Sequence, residues 1–159
     1  MVEPIITFTS RSGWYGLEAS AILEVAQLRV VRPVPRAPGI VAGLAEVHGR
    51  IVTLIDLDRL LAAGPAPVGI GIFGVVLAPP LDHLGVLVRS EVDVATAPAQ
   101  EGSQPPQDET RGEEGGLLRA RLAVGERLLN LLSLPALVSR VEAAIRNGFR
   151  PGRDATEEV

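Results

Sequence analysis

The 159-residue sequence predicts a mostly β fold of two small barrels with short helices and a C-terminal helix. Three observations carry that expectation. Apolar runs of strand length recur along the chain, separated by Gly, Pro and polar turn residues. Helical spacing is confined to Glu18–Gln27, one turn after Asp56, and Leu134–Arg146. Third, shifting the sequence on itself by 116 − 39 = 77 positions pairs Gly39-Ile40-Val41 with Gly116-Leu117-Leu118. With no gap the same shift pairs Val47 with Val124, Arg50 with Arg127, and Ile51–Leu57 with Leu128–Leu134. One supersecondary unit is used twice.

At the N-terminus, Ile5–Thr9 alternates as a strand, Arg11-Ser12-Gly13 forms a polar turn, and Trp14–Leu17 returns as the second arm of a hairpin. Trp14 reads as a partly buried anchor of that hairpin. Glu18–Gln27 is expected as a short helix, with Ala21, Ile22 and Val25 on one side and Glu18 and Glu24 toward solvent. A strand at Leu28–Val31 follows. Pro33, Pro35 and Pro38 then impose an extended connection, since each removes a donor and restricts the residue before it.

The central unit spans Pro38–Leu61. Apolar runs at Ile40–Val47 and Ile51–Ile55 flank His48-Gly49-Arg50, where Gly49 supplies the positive φ a tight turn needs. Asp56 caps the helical turn Leu57–Leu61, and Asp58 is a first-turn acid. Leu60–Leu81 lacks charge and is long enough to cross a bilayer. It nevertheless contains Pro65, Pro67, Pro79 and Pro80 with four glycines, so it reads as a linker at Ala62–Pro67 and a buried strand at about Ile70–Leu77. Strands at His83–Val88 and Val92–Ala95 come next, with His83 a surface residue. Pro98–Gly116 is polar, acidic and without apolar period, which predicts a mobile loop.

In the second copy of the unit, Leu118, Ala120, Leu122 and Val124 alternate as a half-buried strand, and Gly125-Glu126 closes the hairpin. Ser133 stands where Asp56 stood. From there Leu134, Leu137, Val138, Val141 and Ile145 lie at helical spacing, and Asn147-Gly148 is the stop signal. In both copies the second strand is apolar on its two faces, Ile51, Val52, Leu54 and Ile55 matching Leu128, Leu129, Leu131 and Leu132. A barrel interior covers one face only, so the other must lie against the second barrel, a helix or another protein.

Composition narrows the function. Net charge is −4 and aromatic residues are 3% of the chain, which removes both the electrostatic footprint and the stacking platforms of a general nucleic-acid binder. Cysteine is absent and His48 and His83 are far apart, so no disulfide framework and no metal site is expected. The N-terminus carries Glu3 and no secretory pattern, pointing to the cytoplasm without membrane insertion. Catalytic groups do not converge. Asp56 and Asp58 are accounted for at the helical turn, Ser133 has no histidine near it in sequence, and Gly69-Ile70-Gly71 leads into strand-like residues and not into a helix. No cofactor is implied.

The order and spacing of Tyr15-Gly16-Leu17, Ile22-Leu23-Glu24-Val25, Pro38–Gly43, His48–Val52, Leu54–Leu57 and Gly85–Val88 resemble the CheW-like domain of bacterial chemosensory systems, over roughly Ile5 to Val138. The resemblance implies two SH3-like five-stranded barrels around a shared core, no catalysis, and a scaffold joining chemoreceptor cytoplasmic tips to the regulatory domain of a CheA-type histidine kinase at receptor arrays. One domain over 1–149 is expected, with subdomains at about 1–64 and 68–149 and a disordered tail at 150–159. Apolar partner contacts are expected around Ile22, Val25, Val41 and Ile51, with Glu24, His48, Gly49 and Arg50 at the rim. Charge reversal at Glu24 or bulk at Gly49 should weaken binding with little loss of stability. Two departures stand out: the family's usual Asn-Leu-Arg-Gly turn is Glu46-Val47-His48-Gly49 here, and Arg89 stands where the family often has an acid. The competing reading is a small-ligand-binding or enzymatic β-barrel whose site is not visible in the sequence.

Overall fold

A computed structural model of the chain describes residues 2–61, 72–98 and 116–148. The expected linker, the start of the strand at Ile70, most of the acidic loop and the tail lie outside the described residues. Among the described residues ten strands form two five-stranded sheets. The strands are β1 (Val2–Ser10), β2 (Gly13–Glu18), β3 (Ile22–Gln27), β4 (Val41–Val47), β5 (Arg50–Asp56), β6 (Phe73–Leu77), β7 (Leu84–Val88), β8 (Asp93–Pro98), β9 (Leu118–Val124) and β10 (Arg127–Leu132). Two helices, α1 (Leu57–Leu60) and α2 (Leu134–Gly148), follow β5 and β10.

The sheets have orders β8-β1-β2-β10-β9 and β3-β6-β7-β5-β4. Each contains one parallel pair, β2 with β10 and β5 with β7. The two orders correspond strand for strand, and the shift of 77 carries β4 Val41–Val47 onto β9 Leu118–Val124 without a gap. Capping also corresponds: Asp56 accepts from the Asp58 and Arg59 amides, and Ser133 Oγ from the Ala136 amide. The expected boundary between residues 64 and 68 does not divide the sheets. The second sheet is contiguous, from β3 to β7, whereas the first takes β1 and β2 from before it and β8 to β10 from after it.

Glu18–Gln27 is not the expected helix. A short 3-10 turn at Ala19–Ala21 leads into β3, which pairs antiparallel with β6, Val25 opposite Val75 and Ile22 opposite Leu77. Burial along Ile22–Gln27 alternates residue by residue. Ala and Glu favour a helix only by tenths of a kcal/mol each, and pairing with the apolar β6 outweighs that. Leu28–Val31 is not a strand either. The Leu28 amide donates to the Ile72 carbonyl, and Arg32 forms an isolated bridge to Leu44.

That bridge closes the second sheet. Arg32 and Leu44 exchange both backbone hydrogen bonds at 2.8 Å, carrying the chain after β3 across to the opposite edge strand β4. The approach requires Gly43, whose φ is +152° and where a Cβ would lie 2.3 Å from the Arg32 carbonyl oxygen. Apolar side chains fall into three cores. Ile5, Ala120, Leu122, Leu129 and Leu131 fill the first sheet, and Ala45, Val47, Val52, Leu54, Val76 and Leu87 fill the second. The largest core lies between the sheets, where Phe8, Tyr15 and Leu17 meet Ile55, Val75 and Val86 beneath α2. The doubly apolar strands β5 and β10 thus use one face for their own sheet and the inner part of the other for the shared core.

Candidate partner-binding site

The β4–β5 hairpin turns at Val47-His48-Gly49-Arg50, with Val47 paired to Arg50. His48 (φ 49°) and Gly49 (φ 79°) are both left-handed, the conformation that matches the twist of the flanking strands. Gly49 has open space around it, but its φ would strain any residue with a Cβ. Bulk at Gly49 therefore tests the turn as well as the surface, which corrects the expectation that stability would be unaffected.

Sheet closure brings Glu24 of β3 to this tip, although β3 and β4 are opposite edges of the sheet. His48 Nδ1 lies 3.0 Å from both carboxylate oxygens of Glu24. With Nδ1 directed at an acceptor, Nε2 is left for another molecule. Arg50 Nε lies 3.4 Å from Asp82 in the β6–β7 turn. Ile51, the second residue of β5, has 61% of its surface exposed. Its counterpart under the shift of 77, Leu128, is 53% exposed at the start of β10.

Five of the eight expected contact residues, Glu24, His48, Gly49, Arg50 and Ile51, thus meet at one hairpin tip. Val25 is exposed on the outward face of β3 with Leu23. Ile22 and Val41 lie elsewhere, partly buried against the shared core; Val41 pairs with Ile55 at the far end of the hairpin. On the first sheet, Arg127 lies over the Trp14 ring, 4.2 Å from its centroid, so Trp14 anchors β10 to its hairpin.

A polar cluster that sequence reasoning missed sits at the junction of the sheets. Asp56 and Asp58 are only 2% and 6% exposed. Arg89, following β7, donates to both oxygens of Asp56 at 3.0 and 2.9 Å and to Asp58 at 3.4 Å. The Asp56 hydrogen bond is the main reason the Arg89 pKa is raised, with coulombic help from Asp56 and Asp58 against the cost of burial. The other Asp58 oxygen accepts from Ser10 Oγ at 2.7 Å and the Arg11 amide at 3.1 Å, in the β1–β2 turn. The Thr9 amide donates to Ser90 Oγ at 2.7 Å. Asp58 is therefore a tie between sheets as well as a first-turn acid. The available signal was two acids beside an apolar run, which demands a cation somewhere in the fold.

Among the described residues no group of His, Cys, Asp or Glu is arranged to hold a metal ion, and no helix is long and apolar enough to cross a membrane. Comparison with known proteins adds the following. A family model described as the CheW-like domain matches residues 4–142. Protein FrzA of Myxococcus xanthus is 24% identical over 129 residues, 77% of each chain. The chemotaxis protein CheW of Treponema pallidum (strain Nichols) is 25% identical over 107 residues, 65% of this chain and 63% of that one. The crystal structure of the scaffolding protein TtCheW from Thermoanaerobacter tengcongensis matches with a TM-score of 0.73 over 84% of this chain and 86% of that one, at 17% identity. The likeness is one of fold: two SH3-like five-stranded barrel subdomains with a C-terminal helix.

Proposed function

Because this chain belongs to the CheW-like domain family, we propose that it is a non-enzymatic scaffold coupling a chemoreceptor's cytoplasmic tip to the regulatory domain of a CheA-type histidine kinase, in the cytoplasm at receptor arrays. The observation that carries the reading is the hairpin tip. A fold that buries its other β5 apolar side chains leaves Ile51 in water, next in sequence to Arg50, which pairs with Asp82, and lining one groove with His48, which is hydrogen-bonded to Glu24. That is the anatomy of a contact patch, an apolar centre with a polar rim. Covering the exposed three-fifths of Ile51 stabilises a complex by about 1–2 kcal/mol, and the rim pairs act on partner choice and association rate. His48 stands at the family's arginine position and presents Nε2 in place of a guanidinium, so the partner facing it differs from an ordinary family partner in charge or hydrogen bonding at that point.

Titrating the purified kinase regulatory domain onto wild type and Ile51→Asp tests the reading. The variant should bind at least about tenfold more weakly, a loss of roughly 1.4 kcal/mol or more. Its thermal midpoint should fall by no more than about 5 °C, because residue 51 is exposed and the cost is limited to strand propensity and the carboxylate of Glu46 opposite. Equal affinities would remove the tip from the kinase interface. Failure of the wild type to bind either the kinase domain or a receptor tip would end the coupling reading.

A further inference from the structure

The tip is one wall of a longer open groove of about 540 Å³. Its opposite wall is the irregular segment after β3, and the groove is lined by Leu28, Arg29, Val30, Arg32, Val47 and Ile51 among others. Val30 on one wall is 63% exposed and Ile51 on the other 61%. Water thus meets apolar side chains on both sides.

The charge in this groove runs against that of the molecule. The chain carries a formal −4, and its 15 basic residues are all arginine, with no lysine. Arg50, Arg59, Arg89 and Arg119 are held in ion pairs, and Arg127 is stacked on Trp14. Arg11, Arg36 and Arg140 also have interaction partners. The side chains of Arg29 and Arg32 enter no ion pair among the described residues. Of the lining carboxylates there is Glu46 alone, while Glu24 nearby is engaged by His48.

We infer that this groove receives an acidic segment of a partner protein, with apolar side chains seated between Val30 and Ile51 and carboxylates paired to Arg29 and Arg32. The inference rests on the scaffold reading in taking the occupant to be a protein. A planar guanidinium with several donors in a fixed fork matches a carboxylate better than a point charge does, and pairing it beside apolar surface is less screened than in open water. A cationic segment would meet two like charges and leave its own unpaired. The closure by Arg32 and Leu44 holds the two walls together, so the walls of the groove are set before anything binds.

The test needs no kinase and so separates this inference from the coupling reading. A short peptide alternating Glu and Leu, and a second alternating Lys and Leu, are titrated onto the full chain while the Val30 and Ile51 methyl signals and the Arg29 and Arg32 Nε–H signals are followed by NMR. The Glu–Leu peptide should shift all four, and the Lys–Leu peptide should bind at least about tenfold more weakly. In Arg29→Glu/Arg32→Glu, whose exposed positions leave folding intact, the preference should reverse. Equal binding of both peptides, shifts confined to other residues, or no reversal in the double variant would overturn the inference. So would concentration-dependent dimerisation that moves the same four signals without peptide, since a second copy would then be the occupant.

Discussion

Arg89 is the counter-ion for two buried carboxylates, Asp56 and Asp58. A buried ion pair is close to neutral against a well-packed apolar replacement, but removing one partner strands the other at a cost of about 3–5 kcal/mol. Arg89→Met should therefore destabilise the fold by about 3 kcal/mol, read by urea denaturation. Adding Asp58→Asn should restore part of that loss. The amide oxygen still accepts from Ser10 and the Arg11 amide, and one uncompensated charge is gone. The pH dependence follows from the raised Arg89 pKa, which is set first by its hydrogen bond to Asp56. A cation whose folded pKa is raised contributes fully below its unfolded value and loses that contribution only as pH climbs through the folded one. The gap between wild type and Arg89→Met should stay constant from neutral to moderately alkaline pH; a gap closing in that range would mean Arg89 is not the group holding the pair.

At the level of elements, the hairpin–cap unit was legible because its residues lie close together in sequence and occur twice. Alternation located β9, Gly49 and Gly125 marked the turns, and Asp56 and Ser133 the caps. β3 was not legible, because Ile22–Gln27 contains helix formers and owes its strand to β6, some fifty positions later. The same holds for the site. His48, Gly49, Arg50 and Ile51 are contiguous, so their proximity was legible. Glu24 was expected beside them from the resemblance, but its hydrogen bond to His48 across 24 positions depends on closure of the sheet and has no local pattern. The Asp56–Asp58–Arg89 cluster spans more than thirty positions and leaves no local pattern. Periodicity on β5 and β10 also shows which of two adjacent apolar residues carries stability. Leu129 is fully buried in the first-sheet core, and Leu128 beside it is exposed. Leu129→Ala should cost about 3 kcal/mol and Leu128→Ala under about 0.5 kcal/mol in thermal or urea unfolding. A large loss at Leu128 would mean another element covers that face.

Over the whole molecule, connectivity and packing favour one cooperative unit over two. The first sheet is assembled from chain on both sides of the second, so neither β1–β2 nor β8–β10 completes it without the other. The shared core draws on both sheets and α2, and Asp58 and Ser90 tie the second sheet to the β1–β2 end of the first. Loss of either sheet would expose the apolar faces of the other, a penalty of about 25 cal/mol per Å². Unfolding should therefore be a single transition, with calorimetric and van't Hoff enthalpies equal. Leu17, 1% exposed in the shared core, offers the sharper measurement. Leu17→Ala should lower the stability by about 3 kcal/mol, and the hydrogen-exchange protection of β5 and β7 should fall by the same free energy as that of β1 and β2. Protection lost in the first sheet alone, or two resolved transitions, would show barrels that fold apart. The outcome bears on how a scaffold works, because partners on two faces stand at a defined angle only if the seam between the barrels opens no more readily than the barrels themselves.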